Sequence, residues 1–292
     1  MKRKKQLHKD TKWAKQIITW QEPDGKWGCF HSLSQFYGAG MTTEQALGRL
    51  ERLGYTIEDE CIQKAVVYMN DCLTGRQEIP NRKEKVHDWR IFTSLMLATR
   101  IRRFTNDNIH ANQVARQWAD VITYAFENGT YDHEKYVAAY REILGLKPGG
   151  GRLIDFVNFY PISLLNDMLD RKTEEVFIDY VIHHENGIYY IYEGCISEVP
   201  ELFMSRKASR YLAAIELLAR YPNAKYQLSY VVDWLNQHKV NDQWDMGKEV
   251  NDKVYFPLSD NWRKIETRVA DCTERIRGLI EQLTISTDIF IS

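Results

Sequence analysis

The sequence predicts an all-α chain of repeated helix hairpins, stacked as an open α-solenoid or closed into an α/α ring. Three observations predict it. Apolar residues recur at i, i+3, i+4 and i+7 along most of the chain. Capping residues open these stretches, and Gly or Pro closes them. Helix starts near Thr43, Trp89, Asp132, Thr173 and Asn223 recur every ~40–50 residues, each followed by a second helix, which is the mark of a helical repeat.

The elements follow in order. A first helix carries Ile17, Ile18 and Trp20. Thr42 and Gln45 have capping-box spacing, and the helix they open stops at Gly54. Thr56 is the expected cap of a helix with Ile62, Ala65, Val66, Met69 and Leu73 on its apolar face. Asp88 precedes a helix marked by Trp89, Phe92, Met96 and Thr99. Asp107 or Asn108 opens the next, with Ala111, Val114, Ala115, Trp118, Ile122 and Ala125 inward and an end near Gly129. Asp132 caps a helix bearing Tyr136, Ala139, Tyr140 and Ile143, closed by Gly145. Lys147–Gly151 breaks the chain, and Pro161 suits the first turn of a short helix. Thr173 is the expected cap for Phe177, Tyr180 and Val181. Ser205 starts a helix with Ala208, Tyr211, Leu212 and Ile215, stopped by Pro222. Leu228, Val231, Val232 and Leu235 follow. Ser259 is the expected cap of the last helix, whose buried stripe is Ile265, Val269, Cys272, Ile276, Leu279 and Leu283. The β-branched tail Thr284–Ser292 is expected to pack on the surface. No linker rich in Pro, Ser or charge interrupts the chain, so residues 1–292 read as a single domain.

Composition narrows the function classes. Hydrophobic residues at 44% and charged residues at 27% are globular values that exclude wholesale disorder. A net charge of −1 gives no global attraction to nucleic acid, so no nucleic-acid partner is expected. The basic opening Met1–Lys5 reads as a solvated terminus, and no apolar stretch follows it to make a secretory signal. No apolar run reaches the ~18 residues of a membrane span. Cys29, Cys61, Cys72, Cys195 and Cys272 are scattered, with no Cys-x-x-Cys pair. That pattern points to reduced thiols in a cytoplasmic protein, with no structural metal and no cofactor expected. Aromatic residues are 12% of the chain, enough to line a cavity or to fill interhelical cores.

Gln21-Glu22-Pro23-Asp24-Gly25-Lys26-Trp27-Gly28 carries a recognisable motif: Gln, a few residues, Gly, one residue, Trp, at the end of a helix. It resembles the repeat motif of the terpenoid cyclase and protein prenyltransferase superfamily, with Gln21, Gly25 and Trp27 at the matching positions. A degenerate copy runs from Trp234 through Gln237 to Trp244, and Asn186-Gly187-Ile188-Tyr189 is a weaker echo. The resemblance implies an α/α toroid in which the Gln amide satisfies backbone groups at a neighbouring helix end. It also implies a small apolar, isoprenoid-like ligand in a central aromatic-lined cavity. The catalytic signatures of that superfamily are missing. There is no Asp-x-Asp-Asp motif, and Asp71-Cys72 and Asp271-Cys272 lack the spacing of its zinc site.

Candidate site residues fall in a few places. Asp24 and His31 in the loop Gln21–His31, and Asp242 and Asp245 in the long aromatic connection Asp242–Trp262, are the acid–base candidates, since both loops carry Trp at a motif-like position. Trp244, Trp262, Arg100 and Arg103 are candidate ligand contacts, the arginines as an anion clamp. Last-turn arginines also answer the helix dipole, as does His183-His184 at a helix end. Asn166, Asp170 and Glu174 resemble the second magnesium motif of class I terpene synthases, and equally suit solvated acids at a helix junction. His87-Asp88 reads as an active pair or as a cap beside Trp89. Three function classes follow: an apolar small-molecule site, a non-catalytic scaffold for a protein partner, and a carbohydrate-acting enzyme on an α/α ring.

Overall fold

The computed structural model describes residues 8–31, 40–81, 83 and 85–284. The basic opening and the tail beyond Thr284 lie outside them. Among the described residues there are twelve α-helices and no strand: α1 (Lys12–Thr19), α2 (Thr43–Arg52), α3 (Glu60–Leu73), α4 (Trp89–Arg102), α5 (Ile109–Ala125), α6 (His133–Ile143), α7 (Phe159–Leu164), α8 (Arg171–Ile182), α9 (Arg206–Leu218), α10 (Ala224–Gln227), α11 (Ser229–Gln237) and α12 (Ile265–Thr284). None is long and apolar enough to cross a membrane. The all-α class expected from the sequence is observed, and the starts of α2, α4, α6, α8 and α10 lie within a few residues of the periodic positions.

Local chemistry explains most helix starts. Thr42 and Gln45 form the full capping box, and Asp88, Asn158 and Ser205 each accept a first-turn N–H. Asn108 caps α5 through Ala111 N, and Asp132 caps α6 through Lys135 N. Three expected caps are corrected. The residue that opens α3 is Asp59 and not Thr56, because the Asp59 carboxylate accepts Thr56 N and folds 56–59 into a turn ahead of the helix. Asp170 caps α8, accepting Lys172 N, Thr173 N and the Thr173 hydroxyl, so Thr173 lies inside the first turn. α12 begins at Ile265 rather than after Ser259, with Ile265 itself 61% exposed and the buried stripe starting at Cys272.

Contacts group the chain into two compact units, with the division falling inside α5 and α6. In unit 1 (Met1–Trp118, Tyr140–Ile154, Leu258–Asp260), α3 packs on α4 and α1 packs on α2. Glu44, fully buried on α2, pairs with Arg100 of α4 at 3.1 Å, and Glu51 pairs with Arg103 at 2.6 Å. Trp27 is wholly buried. Its indole N–H donates to Ile17 O at the end of α1, and its backbone N–H donates to the Thr43 hydroxyl, which donates back to Trp27 O. The Gln21 amide donates to Gly25 O and to Cys61 O in the first turn of α3. Gly25 is obligatory: φ is +97° and an added Cβ would strike the Lys64 carbonyl.

In unit 2 (Ala119–Ala139, Asp155–Pro257, Asn261–Ser292), α10 packs on α8, α11 and α12, α11 also on α12, and α7 on α9. Trp244, 3% exposed, repeats the Trp27 arrangement. Its indole N–H donates to Leu235 O in α11, and its backbone N–H and C=O both engage the Thr273 hydroxyl on α12. Gln237 does not repeat Gln21, because its side chain is exposed. The residues from Trp244 to Phe256 close over core, with Trp244, Met246, Val250 and Phe256 buried. Arg275 holds this segment, stacked over Tyr255 and Phe256 while bonded to Glu216, Ser209 Oγ and Ser209 O.

Candidate binding cleft

The carboxylate candidates of the sequence are tied up in ion pairs. Asp24 pairs with Lys26, which also bonds Glu22 at 2.8 Å. Partial burial works to raise the Asp24 carboxyl, but the hydrogen bonds and charge of Lys26 outweigh it and hold it low. Asp245 forms a bidentate pair with Arg268 at 2.8 and 2.6 Å, and this bond, against burial, keeps its carboxyl below the usual range. Asp242 meets Arg277 at 2.8 Å and Lys239 at 3.3 Å. His31 is half-buried with its ring 5.6 Å from Phe92, on which His87 also stacks at 6.0 Å. The ligand candidates have protein partners too. Trp262 donates to Asp271 at 2.7 Å, Trp244 is an anchor, and Arg100 and Arg103 hold glutamates of α2.

The motif-like acids fare the same way. Asp170 is a cap, and Glu174, 5% exposed, accepts Asn223 N at 3.0 Å. Burial pushes the Glu174 carboxyl up, with Asn223 opposing. His183 and His184 bond Asp179 O and Gly187 O, local contacts at the end of α8. Among the described residues, no three His, Cys, Asp or Glu side chains gather as metal ligands.

A concavity lies elsewhere, in unit 2, over the irregular segment between α8 and α9. A cleft of about 390 Å³ is lined by residues from Tyr192 to Lys207, with Tyr192, Val199, Pro200 and Leu202 as its apolar wall. Its base is built on close approaches. Gly187 at φ +63° packs against the Tyr192 and Gly194 carbonyls, where any Cβ would collide. Just past the end of α8, Ile188 bridges to Tyr192 and Tyr189 to Asn158, turning the chain tightly. Beneath, Tyr192 meets Tyr211 edge-on at 5.3 Å, Tyr211 meets Trp234 at 5.6 Å, and Trp234 meets Phe203 at 5.4 Å. Tyr211 and Tyr230 both donate to Ile196 O, at 3.0 and 2.6 Å, and burial raises both phenols. Tyr192, the one aromatic of the lining, is thus backed by a packed aromatic cluster.

Comparison with known proteins gives no matching family model, no matching curated protein and no matching solved structure. The chemistry of the cleft has to be read from its own residues.

Its rim differs from the pairs described above. Glu198, Glu201 and Lys207 line the cleft, and none of them forms an ion pair among the described residues. Cys195 lies in the lining, its thiol 3.0 Å from the Ser197 hydroxyl. Val199, Leu202 and Met204, within one short stretch, are 37, 71 and 58% exposed. Helix periodicity could not find this segment, which forms no helix. The signal was an apolar run, Val199-Pro200 and Leu202-Phe203-Met204, of which Pro200 and Phe203 are buried and the other three exposed.

Proposed function

We propose that this chain is a terpenoid-cyclase-like helix-pair protein of the toroid kind that holds a small apolar ligand without transforming it. The ligand sits in the cleft between Tyr192 and Lys207. One contrast carries this reading: the cleft has an apolar wall of Tyr192, Val199, Pro200 and Leu202, while Asp24, Asp242 and Asp245 are bound up in ion pairs elsewhere. Its volume of about 390 Å³ is in the range that takes a ligand of modest size. The matching Trp27 and Trp244 anchors and the periodic helix starts support the toroid reading of the helix pairs. Five free thiols support a reducing, cytoplasmic setting.

The test is a fluorescence titration with N-phenyl-1-naphthylamine, a neutral apolar probe. The protein should bind one equivalent, and Leu202→Asp and Val199→Asp should each weaken binding at least tenfold with an unchanged melting curve. Equal binding by wild type and both variants would contradict the reading.

A second reading has its own observation. Val199, Leu202 and Met204 form an exposed aliphatic strip that a protein partner would also cover. In that case the probe binds weakly and without saturation at one equivalent. No observation favours the carbohydrate-acting reading.

A further inference from the structure

We propose that the Tyr192 hydroxyl is the polar recognition group of the cleft, donating to an uncharged oxygen, such as a ketone or ester carbonyl, on an otherwise apolar ligand. This rests on the reading of the cleft as an apolar-ligand site and adds the functional group that the ligand carries.

Tyr192 lines the cleft and is only 3% exposed. Other buried phenols satisfy their O–H inside the protein. Tyr55 donates to Lys9 O at 2.8 Å, Tyr211 to Ile196 O at 3.0 Å, and Tyr221 to Ile162 O. The Tyr192 hydroxyl makes no hydrogen bond among the described residues. The Tyr68 hydroxyl also lacks one, but it is sealed in the core, whereas the phenol of Tyr192 borders the cleft.

The donor is held in place. The Tyr192 backbone is fixed on Ile188 by hydrogen bonds of 2.9 and 3.0 Å, and its ring meets Tyr211 edge-on at 5.3 Å. Gly194, also in the lining, lies against the hydroxyl. A Cβ there would stand 3.1 Å from the phenol oxygen, so the glycine leaves that side of the O–H open. A donor in a nearly dry place without an acceptor is unfavourable, and a ligand acceptor relieves it.

Burial, together with the Cys195 thiol and the Glu198 carboxylate, pushes the phenol up, so it stays protonated and able to donate. The same carboxylate opposes an anionic group on the ligand, and an ammonium offers no acceptor. An uncharged oxygen is what remains. Lys207 is the cation of the lining that an anionic ligand would use, and the experiment includes an anion for that reason.

Three naphthalenes of similar shape separate the cases: 2-acetylnaphthalene, 2-ethylnaphthalene, in which a methylene replaces the carbonyl, and 2-naphthoate. Each competes with N-phenyl-1-naphthylamine on the full-length wild type and on Tyr192→Phe. The variant should bind the ketone about five- to tenfold more weakly, while the hydrocarbon and N-phenyl-1-naphthylamine change by less than about twofold. The wild type should bind the naphthoate more weakly than the ketone. Tyr192→Phe should melt with the wild type, because the hydroxyl makes no bond inside the protein. Tyr211→Phe, which gives up the Ile196 bond, should melt lower.

Equal changes for ketone and hydrocarbon would overturn the Tyr192 assignment, as would a lowered melting curve of Tyr192→Phe, which would make the hydroxyl structural. Tighter binding of the naphthoate would overturn the uncharged class. If N-phenyl-1-naphthylamine binds and the ketone does not compete, the assignment fails and the apolar site stands. If neither it nor any naphthalene binds, the apolar site fails as well.

Discussion

Trp27 and Trp244 show what one residue does here. Each ring is buried, each indole N–H donates to a carbonyl in the last turn of a helix, and each backbone is clasped by a Thr hydroxyl that both accepts and donates. Replacing either Trp by Ala should cost about 3–5 kcal/mol in urea unfolding, the usual result of truncating a core aromatic. Thr43→Val and Thr273→Val should each cost about 1–3 kcal/mol, because two buried backbone groups lose their partner, and Thr→Ser should restore most of it. A Thr→Val variant that unfolds with the wild type would deny the clasp. The Trp positions were legible from the Gln-x-x-x-Gly-x-Trp spacing and its degenerate copy. Their Thr partners were not, since they lie 16 and 29 residues downstream and share no common spacing. Thiol reactivity follows from burial too: Cys272 is fully buried and pushed up to about 11, so it should label far more slowly than half-exposed Cys195 at pH 8. Peptide mapping after brief alkylation measures the ratio.

Helix starts separate what local pattern can tell from what it cannot. The capping box of α2 and the Asp88 and Ser205 caps were readable because cap and helix are neighbours in sequence. At α8 two cap-forming residues compete, and Asp170 prevails because its carboxylate takes two N–H groups and the Thr173 hydroxyl at once. Asp170→Ala should therefore cost about 1 kcal/mol, and Thr173→Ala distinctly less. Thermal denaturation of the pair decides, and the reverse order would restore Thr173 as the cap. The tie between α2 and α4 is a long-range matter that no local pattern reveals. Glu44 has no exposure, so Glu44→Ala leaves Arg100 facing a cavity and should cost about 3–5 kcal/mol. Glu51→Ala, at a half-exposed pair, should cost about 1 kcal/mol or less. A double-mutant cycle with Arg100→Ala checks that the Glu44 cost belongs to the pair.

At the scale of the whole chain, the sequence made the all-α class and the helix period legible, because apolar repeat and breakers are written locally. The place of the cleft was not, because its wall comes from an irregular segment that is held by Tyr211 and Tyr230 on helices further along the chain. The motif loops looked functional for the same reason that they are structural: Trp, Gly and charge in a connection serve anchoring as well as chemistry. Their ion pairs also set an acid limit on the fold. Asp245 is held below its ordinary 3.8, so its contribution is present above that pH and is lost as pH falls through the lower folded value. Asp245→Asn should flatten stability against pH in that acid window and leave other acid-sensitive pairs untouched. Amide hydrogen exchange across the full chain, with and without saturating N-phenyl-1-naphthylamine, tests the central claim most directly. Protection should rise in residues 192–207 and stay unchanged in the loop of Trp27, whereas protection confined to Gln21–His31, or none at 192–207, would place the ligand site elsewhere.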